Sequence, residues 1–514
     1  MKEQYVYTAD LGKSNMHAAV YAVSPGSGTL PVAVGNIPDV KNRNYEAARD
    51  KLLIERIDFA AGLVVGNLVS QPEEVRNNLA AIFIDGHGAP CVVLDKKGNP
   101  LFPLDYDHEK VDEYRTKFHM ICGSQDALYD ETSSPQIGAG INWLVSLGYL
   151  LDRFPEDMKK HAGQVTSMTG YPAQLLTGQK VLVDSTMIFN HGYAGNVHTG
   201  QLSSAVQKLS EFYGIDLPGL IGGFRRQSYI PVGVIGENSF GFPKNTPVFV
   251  VMHDTSLVSE LARIARFDSF DNSGTWSCLI SPGRNVRLQR HMQRMDFTIN
   301  RDIYDQPLPT CMFRGGEMWE GYMGLAGLTV KHDPLFDAKI FAEILAGNDF
   351  IMPAFMGGNG PYKHDPKKTP RIPDGLTDPV RLAHAVHLAL AIQTMYAEAA
   401  AHTDLAENAS IADILQNPSG EKMLLAGPAS RGLSAEVLRR VNPKATYALR
   451  EPTPVNLTGA LVAMAYMEGK RPDQLEVAVP DKVMEDITPN EDRVTLETII
   501  QYAKRWETAV RSEA

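Results

Sequence analysis

Residues 246–255, TPVFVVMHDT, decide the fold expected of this chain. The apolar run from Val248 to Met252 predicts a buried strand, and Asp254 follows it closely. Open α/β sheets place their ligand-contacting groups at the carboxyl ends of parallel strands. Asp254 could accept the proton of a substrate hydroxyl there, or it could cap the helix predicted for residues 257–266. The residue alone does not decide between these two roles.

The start of the chain has a similar pattern. Residues 4–9 predict a strand, residues 10–15 a glycine turn, and residues 17–23 a second strand that completes a hairpin. Backbone amides of such a turn can face phosphate oxygens, and its acid can hold Mg²⁺. The turn residues in question are Asp10, Gly12, Lys13 and Ser14. An ordinary hairpin whose polar side chains bond their own turn is the alternative.

Two further glycine turns follow in the second half. Residues 271–277, DNSGTWS, lie about twenty residues past Asp254 and offer the Gly274 amide and the Thr275 hydroxyl to a phosphate. Residues 427–432, GPASRG, follow a predicted strand at 423–426 and precede a predicted helix at 434–441. Gly427 and Ser430 could approach an adenine or ribose there, although a simple helix cap explains the motif equally well.

Other segments predict strands and helices to which we assign no catalytic or binding residue. Residues 80–84 predict a strand that ends in Asp85, and residues 91–94 and 101–102 predict a hairpin around a turn at 95–99. Residues 136–153 and 203–213 predict helices. Residues 380–402 predict a longer helix with one apolar face, formed by Leu382, Val386, Ala389, Ile392 and Tyr396.

A polar cluster in the first half could bind a sugar. His87 lies between Gly86 and Gly88, so its ring could reach a ligand, although a solvated loop histidine is about as plausible. Tyr106 and His108 follow shortly afterwards, and His253 precedes Asp254. No HxH or HExxH spacing is present, which argues against a dedicated transition-metal site.

Composition limits the class of protein. The chain has 514 residues, 44% hydrophobic and 21% charged, which predicts a globular enzyme of two or more domains. A net charge of -11 argues against a nucleic-acid partner. Four scattered cysteines without a CxxC pair, no signal-peptide pattern and no apolar run of about 20 residues predict a soluble cytoplasmic protein without a membrane partner.

The order of these motifs resembles that of the FGGY carbohydrate kinases, from Asp10 to about Gly469. Asp10-Leu11-Gly12 resembles the first phosphate motif of that family, His253-Asp254-Thr255 the segment with the catalytic aspartate, and Ser273-Gly274-Thr275-Trp276 the second phosphate motif. Together with Asp85-Gly86-His87-Gly88, these motifs are most similar to the rhamnulokinase and fuculokinase branch.

The resemblance implies an α/β fold of two actin-like (ribonuclease-H-like) domains around an ATP cleft. Residues 1–245 would form the sugar-binding domain and residues 246–514 the nucleotide-binding domain. ATP and Mg²⁺ would be the cofactors, a small ketose or polyol the substrate, Asp254 the general base and Asp10 the metal ligand. The resemblance leaves open whether the protein forms a homodimer.

Two rival functions differ in class from a sugar kinase. Residues 426–430, AGPAS, replace the Gly-Gly-Gly adenosine turn usual in the family, which suggests a catalytically silent sugar- or nucleotide-binding regulator on the same fold. A nucleotide-dependent oxidoreductase is the other rival. It requires a GxGxxG turn between a strand and a helix, and the start of the chain has none.

Overall fold

The computed structural model describes most of the chain. The described residues are 4–12, 15–41, 62, 64–88, 90–104, 110–236, 242–274, 276–329, 333–355, 360–363, 369–450, 454–478, 483–488 and 496–513. The strands are β1 (Gln4–Leu11), β2 (Asn15–Val23), β3 (Val32–Lys41), β4 (Leu79–Gly86), β5 (Cys91–Asp95), β6 (Pro100–Leu104), β7 (Ala162–Ser167), β8 (Gly195–Asn196), β9 (Gln201–Leu202), β10 (Gly233–Val234), β11 (Pro247–Val250), β12 (Ser269–Ser273), β13 (Ser277–Ile280), β14 (Phe297–Arg301), β15 (Pro307–Phe313), β16 (Lys422–Ala426), β17 (Ala445–Leu449) and β18 (Met484–Asp486).

Helices alternate with these strands, which confirms the α/β class. They are α1 (Glu73–Asn77), α2 (Lys110–Cys122), α3 (Gln125–Thr132), α4 (Trp143–Arg153), α5 (Pro155–His161), α6 (Gly170–Thr177), α7 (Ser185–Ile188), α8 (Ser204–Tyr213), α9 (Leu217–Ile221), α10 (Asp254–Ile264), α11 (Gly315–Leu325), α12 (Ala338–Ala346), α13 (Pro379–His402), α14 (Ile411–Gln416), α15 (Gly432–Val441), α16 (Pro454–Met467) and α17 (Leu496–Glu513).

The chain divides into two compact units. The first contains Met1–Ile264, Ile299–Pro307 and Thr453–Val479, and the second contains Ala265–Thr298, Leu308–Pro452 and Pro480–Ala514. Residues 246–264, with Asp254, therefore belong to the first unit rather than to the half that begins at residue 246. The assignment of the sugar and the nucleotide to the two halves of the sequence stays a prediction.

The first unit is built around a six-stranded sheet in the order β10-β11-β4-β1-β2-β3. Strands β1 and β11 both pair in parallel with β4, and β1 forms the predicted hairpin with β2. Val6, Ile82 and Val248 are completely buried on these three strands. Such strands are apolar on both faces because helices cover the sheet, and α16 packs on β1 and β4. The parallel strands consequently end side by side.

The second unit contains most of a seven-stranded sheet in the order β14-β15-β13-β12-β16-β17-β18. The glycine turn at 274 joins β12 to β13 in an antiparallel hairpin, and β12 pairs in parallel with β16. Helix α13 packs on β13 and is buried around nearly its whole circumference, more than the single apolar face predicted for it. Its other sides pack against α11, α12, α14 and α15, contacts that periodicity does not reveal.

Most predicted elements are present with shifted ends. The hairpin of β5 with β6 is confirmed, and so is the strand that becomes β16. The helix expected for 136–153 begins only at Trp143, since a 3₁₀ turn occupies Ala139–Ile141. The helix expected for 257–266 begins at Asp254, so this residue starts the helix as well as following the strand.

Candidate active site

Three aspartates lie where the central parallel strands of the first unit end. Asp10 is opposite Asp85 in the register of β1 with β4, and Val250 is opposite Ile84 in the register of β11 with β4. The chain therefore reaches Asp254 just beyond the end of β11, at the same edge of the sheet. This edge is the place where open α/β sheets bind ligands.

The three carboxyl groups influence one another. Burial raises the pKa of Asp10 well above its usual range, and the Asp254 carboxylate raises it further. Burial also raises the pKa of Asp85, with added repulsion from Asp10 and Asp254. Both carboxyl oxygens of Asp85 and Oδ1 of Asp10 are buried without a hydrogen-bond partner. Buried carboxyl groups left unsatisfied in one cluster are typical of sites that bind a cation or move a proton.

Asp254 is held in place by the residue that follows it. Its Oδ1 accepts hydrogen bonds from the backbone N–H and the hydroxyl of Thr255. Burial raises the pKa of the Asp254 carboxyl, and these two bonds act in the opposite direction. Asp254 is therefore a stronger base than an exposed aspartate when it is ionised, and its orientation is fixed.

His87 and His253 lie near the same edge. The Nδ1–H of His87 donates to the carbonyl oxygen of Leu11 at 2.9 Å, which ties the ring to the end of β1. A side chain at Gly86 would place its Cβ 2.8 Å from that same oxygen, so this close approach requires glycine. The Nδ1 of His253 is 2.9 Å from the Ser256 hydroxyl, and burial lowers the pKa of His253 to about 4. His253 is therefore neutral at pH 7.

His191 and Asn190 are two further residues of this cluster that the sequence did not identify. The rings of His191 and His253 have centroids 5.8 Å apart. Both nitrogens of His191 and Oδ1 of Asn190 are buried without a partner, while the Asn190 amide donates to the Gly88 carbonyl oxygen. Their only signal in the sequence is a polar pair inside the apolar stretch 187–194, MIFNHGYA. Together with Asp85, they extend the predicted set.

Several predicted site residues lie outside the described part of the chain. These are Lys13, Ser14, Tyr106, His108 and Thr275. Their proposed contacts with phosphate or sugar stay predictions. Gly12 is described and directly follows β1.

The second unit contains a cavity of about 490 Å³. Gly274 lies in its wall, at the turn between β12 and β13, and the first two residues of α11, Gly315 and Gly316, lie there too. Pro428, Ala429, Arg431 and Ser434 bring the third glycine turn to the same wall. The structure thus places two of the three predicted glycine turns around one cavity.

Gly427 and Ser430 have structural roles in that turn and are not among the residues that line the cavity. Gly427 has φ +70°, and a Cβ there would lie 1.9 Å from the Ser273 carbonyl oxygen. The Ser430 hydroxyl donates to the Gly427 carbonyl oxygen at 2.7 Å and is buried. The turn reaches the cavity through the neighbouring residues Pro428, Ala429 and Arg431, and contacts of Gly427 and Ser430 with a nucleotide stay predictions.

Two buried polar residues of the cavity wall were also missed by the sequence. Asp271 and His387 are buried, and neither side chain has a hydrogen-bond partner. The His387 ring stacks on Trp319, with ring centroids 4.4 Å apart, and burial lowers the pKa of His387 to about 3. His387 sits on a helix whose periodicity predicts core, which is why the sequence did not single it out.

The described residues contain no group of three or more His, Cys, Asp or Glu that could bind a metal ion. No helix among them is both long and apolar enough to span a bilayer.

Substituting Gly88 tests the packing of the first-unit site. A Cβ at this position would lie 2.3 Å from Cδ2 of His253 and 3.1 Å from Nδ2 of Asn190. Gly88→Ala should displace the His253 ring next to Asp254 and lower kcat/KM for the best acceptor about 10- to 100-fold. Gly138→Ala, which meets no atom within 4 Å, is the matched control for kinetics and thermal unfolding. Unchanged kcat/KM in a folded Gly88→Ala protein would exclude a role for this packing.

Comparison with known proteins is consistent with this geometry. Residues 272–446 match the family model "Carbohydrate kinase FGGY, C-terminal domain". Among the curated proteins, no sequence matches this chain closely enough to name a relative.

Solved structures match over nearly the whole chain. A carbohydrate kinase from Novosphingobium aromaticivorans is 17% identical with a TM-score of 0.69, over 100% of this chain and 99% of that one. A xylulose kinase from Rhodospirillum rubrum is 15% identical with a TM-score of 0.68, over 99% of each chain. Plasmodium falciparum glycerol kinase with ADP is 12% identical with a TM-score of 0.72, over 99% of this chain and 98% of that one.

These TM-scores over nearly the whole chain establish the fold, which is the predicted two-domain fold of actin-like and ribonuclease-H-like type. The rhamnulokinase and fuculokinase branch stays a prediction. The family match to residues 272–446 and the shared fold of the whole chain support the resemblance to the FGGY carbohydrate kinases.

Proposed function

We propose that this protein transfers the γ-phosphoryl group of ATP to a hydroxyl of a small ketose or polyol, with Asp254 as the general base. The observation that carries the proposal is the position of Asp254. It begins α10 directly beyond β11, at the same sheet edge as Asp10 and Asp85. A carboxylate fixed there can take the proton of a hydroxyl as its oxygen attacks phosphorus.

Asp10 and Asp85 suit a magnesium ion. Mg²⁺ prefers carboxylate oxygens and usually keeps several waters while it bridges substrate phosphates. Asp10 offers a buried oxygen without a partner, and Asp85 offers two. A site of one or two carboxylates is compatible with the lack of a three-residue metal group among the described residues. When bound, the ion would neutralise charge on the phosphate groups. Asp10 is the ligand we propose.

ATP is proposed to bind in the cavity of the second unit. Its volume falls in the range of about 300–1,000 Å³ that is usual for small-molecule sites. The start of α11, at Gly315 and Gly316, supplies backbone N–H groups at its wall, and such groups bind phosphate. The Gly274 N–H already donates to the Trp276 carbonyl oxygen, so this turn contributes to the shape of the wall. Plasmodium falciparum glycerol kinase with ADP, a protein of the same fold, supports a nucleotide as the ligand.

The proposed acceptor is uncharged and rich in hydroxyl groups. His253 and His191 are neutral because burial lowers the pKa of each, to about 4 and about 3. A neutral imidazole has one donor and one acceptor nitrogen, which matches a hydroxyl group. His87 belongs to this proposed set, as do Tyr106 and His108 from outside the described residues. Kinases of xylulose and glycerol share the fold, which supports a ketose or polyol.

A coupled assay of ADP release tests the proposal. The acceptors are pentuloses, hexuloses, 6-deoxyketoses, tetruloses and polyols, with glucose as the comparison. We expect one ketose or polyol to stimulate ADP release strongly and glucose to be a poor acceptor. Glucose turnover equal to that of the best ketose would contradict the acceptor class. Nucleotide binding without acceptor-dependent ADP release would favour the silent regulator instead. A cytoplasmic location and a homodimer stay predictions.

A further inference from the structure

Asp271 is a buried acid without a partner in the wall of the second-unit cavity. It is the third residue of β12, with Leu279 of β13 and Leu425 of β16 opposite it on either side. The residue is completely buried, and neither of its carboxyl oxygens has a hydrogen-bond partner. A carboxyl group in this condition costs free energy to ionise.

The same unit supplies cations to its other buried acids. Glu398, about three turns beyond His387 on α13, forms a salt bridge with the buried Lys444. Asp296 pairs with Lys363 at 2.8 Å and accepts a hydrogen bond from the Gly360 N–H. Asp271 has no such cation, and burial alone accounts for its changed acidity. Glu398 and Asp296 are neutralised by cations of the same unit, whereas Asp271 is buried in a cavity wall without one. This difference indicates that Asp271 has a role in binding a ligand.

The charged groups around Asp271 give no compensation. The neighbouring strands present Leu279 and Leu425, and α13 presents His387, Leu390, Ala391 and Thr394. His387 is neutral at pH 7 because burial lowers its pKa to about 3. The other charged residues described in the cavity wall are Glu320 of α11, Asp333, and Arg431 before α15. Glu320, Asp333 and Arg431 are all exposed, so Asp271 is the buried acid of the wall, and no buried cation among the described lining residues accompanies it.

We propose that Asp271 is a further nucleotide-binding residue that enters the complex as a neutral carboxylic acid, so that binding of the anionic nucleotide takes up a proton at this side chain. This inference rests on the proposed function, because it takes the cavity to be the nucleotide site. An ionised Asp271 would repel the phosphates, whereas the neutral acid would not.

The direction of the effect follows from the acid in the free protein. Burial raises the pKa of Asp271 to about 7, so at neutral pH this side chain is ionised in a fraction of the protein molecules that have no nucleotide bound. Phosphate charge in the cavity raises that pKa further, since it disfavours a second negative charge. Binding then takes up a proton, and affinity falls as pH rises above about 7, by up to roughly tenfold per pH unit. Below that pH, Asp271 is neutral in both the free and the bound protein, so it no longer changes the affinity for the nucleotide.

Titration calorimetry of the full-length protein with ADP tests the proposal without turnover. Measurement at pH 8 in two buffers of different ionisation enthalpy gives the number of protons taken up. We expect wild type to take up most of one proton there, where the ADP phosphates are already fully ionised, and a smaller fraction at pH 7. Asp271→Asn, which is always neutral, should take up none at pH 8 and should bind ADP equally well at pH 7.5 and 8.5. Glu320→Gln, an acid of the same wall, is the control and should keep the uptake.

The outcomes separate the two proposals. Wild-type ADP binding without proton uptake at pH 8 would overturn the role of Asp271, and so would full uptake in Asp271→Asn. A failure of wild type to bind ADP at any pH would instead contradict the proposed function and, with it, this inference. If Asp271→Asn does not fold, the wild-type measurement still tests the role of Asp271, because absence of proton uptake at pH 8 overturns it.

Discussion

Asp254→Asn is expected to lower kcat about 10²–10⁴-fold, because loss of a positioned general base typically costs that much. Asparagine keeps the size of the side chain and an oxygen that can accept from Thr255, so the start of α10 should be preserved. It cannot accept the hydroxyl proton. The apparent affinity for the acceptor should change little, and the loss should appear in kcat.

Asp10→Asn and pH provide the controls for this result. Substitution of Asp10, the proposed magnesium ligand, should be partly rescued by higher Mg²⁺ concentration, whereas Asp254→Asn should not. Burial raises the pKa of Asp254, so this base becomes protonated at a higher pH than an exposed aspartate does. As the solution is acidified, wild-type activity should therefore begin to fall at a higher pH than it would with an exposed aspartate as the base. Near-wild-type turnover in a folded Asp254→Asn protein would remove Asp254 from the mechanism and leave Asp85 as the next acid to test.

Gly427→Ala is expected to destabilise the second unit by roughly 3 kcal/mol or more. The residue has φ +70°, which strains any side chain, and the new Cβ would lie 1.9 Å from the Ser273 carbonyl oxygen. That atom belongs to the backbone of β12, so β12 or the turn must move. Both line the cavity through Ser273 and Pro428, and ADP affinity should therefore fall at least about tenfold.

Gly327→Ala is the control that separates the effect of backbone strain from the effect of the contact between a new Cβ and the Ser273 carbonyl oxygen. Gly327 lies in the same unit with the same φ of +70°, and a Cβ there meets no atom within 4 Å. Its substitution should cost only the strain, about 1–2 kcal/mol, and should leave ADP affinity unchanged. The measurements are denaturant unfolding and ADP titration of both variants. Equal effects of the two substitutions on ADP affinity would show that the contact with Ser273 does not shape the cavity.

Local patterns predicted what depends on neighbouring residues in the chain. The hairpin after Asp10, the hairpin around Gly274 and the strand before Asp254 all follow from apolar runs and glycine turns. Asp85 was predicted only as the end of a strand. Its place between Asp10 and Asp254 depends on the parallel pairing of β4 with both β1 and β11. Such pairing joins segments far apart in sequence, so periodicity carries no trace of it.

The parts that were missed share the same physical cause. His191 and His387 lie in apolar surroundings where a buried histidine is usually structural, and only the packing shows that their nitrogens have no partner. The return of Ile299–Pro307 and Thr453–Val479 to the first unit depends on tertiary contacts. Each unit is formed by three separate segments of the chain, whereas a single boundary after residue 245 gives each domain one continuous segment.

The central claim is tested most directly by following the label of γ-³²P-ATP through one turnover with the best acceptor of the panel. We expect labelled sugar phosphate in equal amount to the ADP formed, with little labelled inorganic phosphate. We also expect the Asp254→Asn substitution to slow the transfer. Label that appears only in inorganic phosphate, or transfer at an undiminished rate without the Asp254 carboxylate, would contradict it.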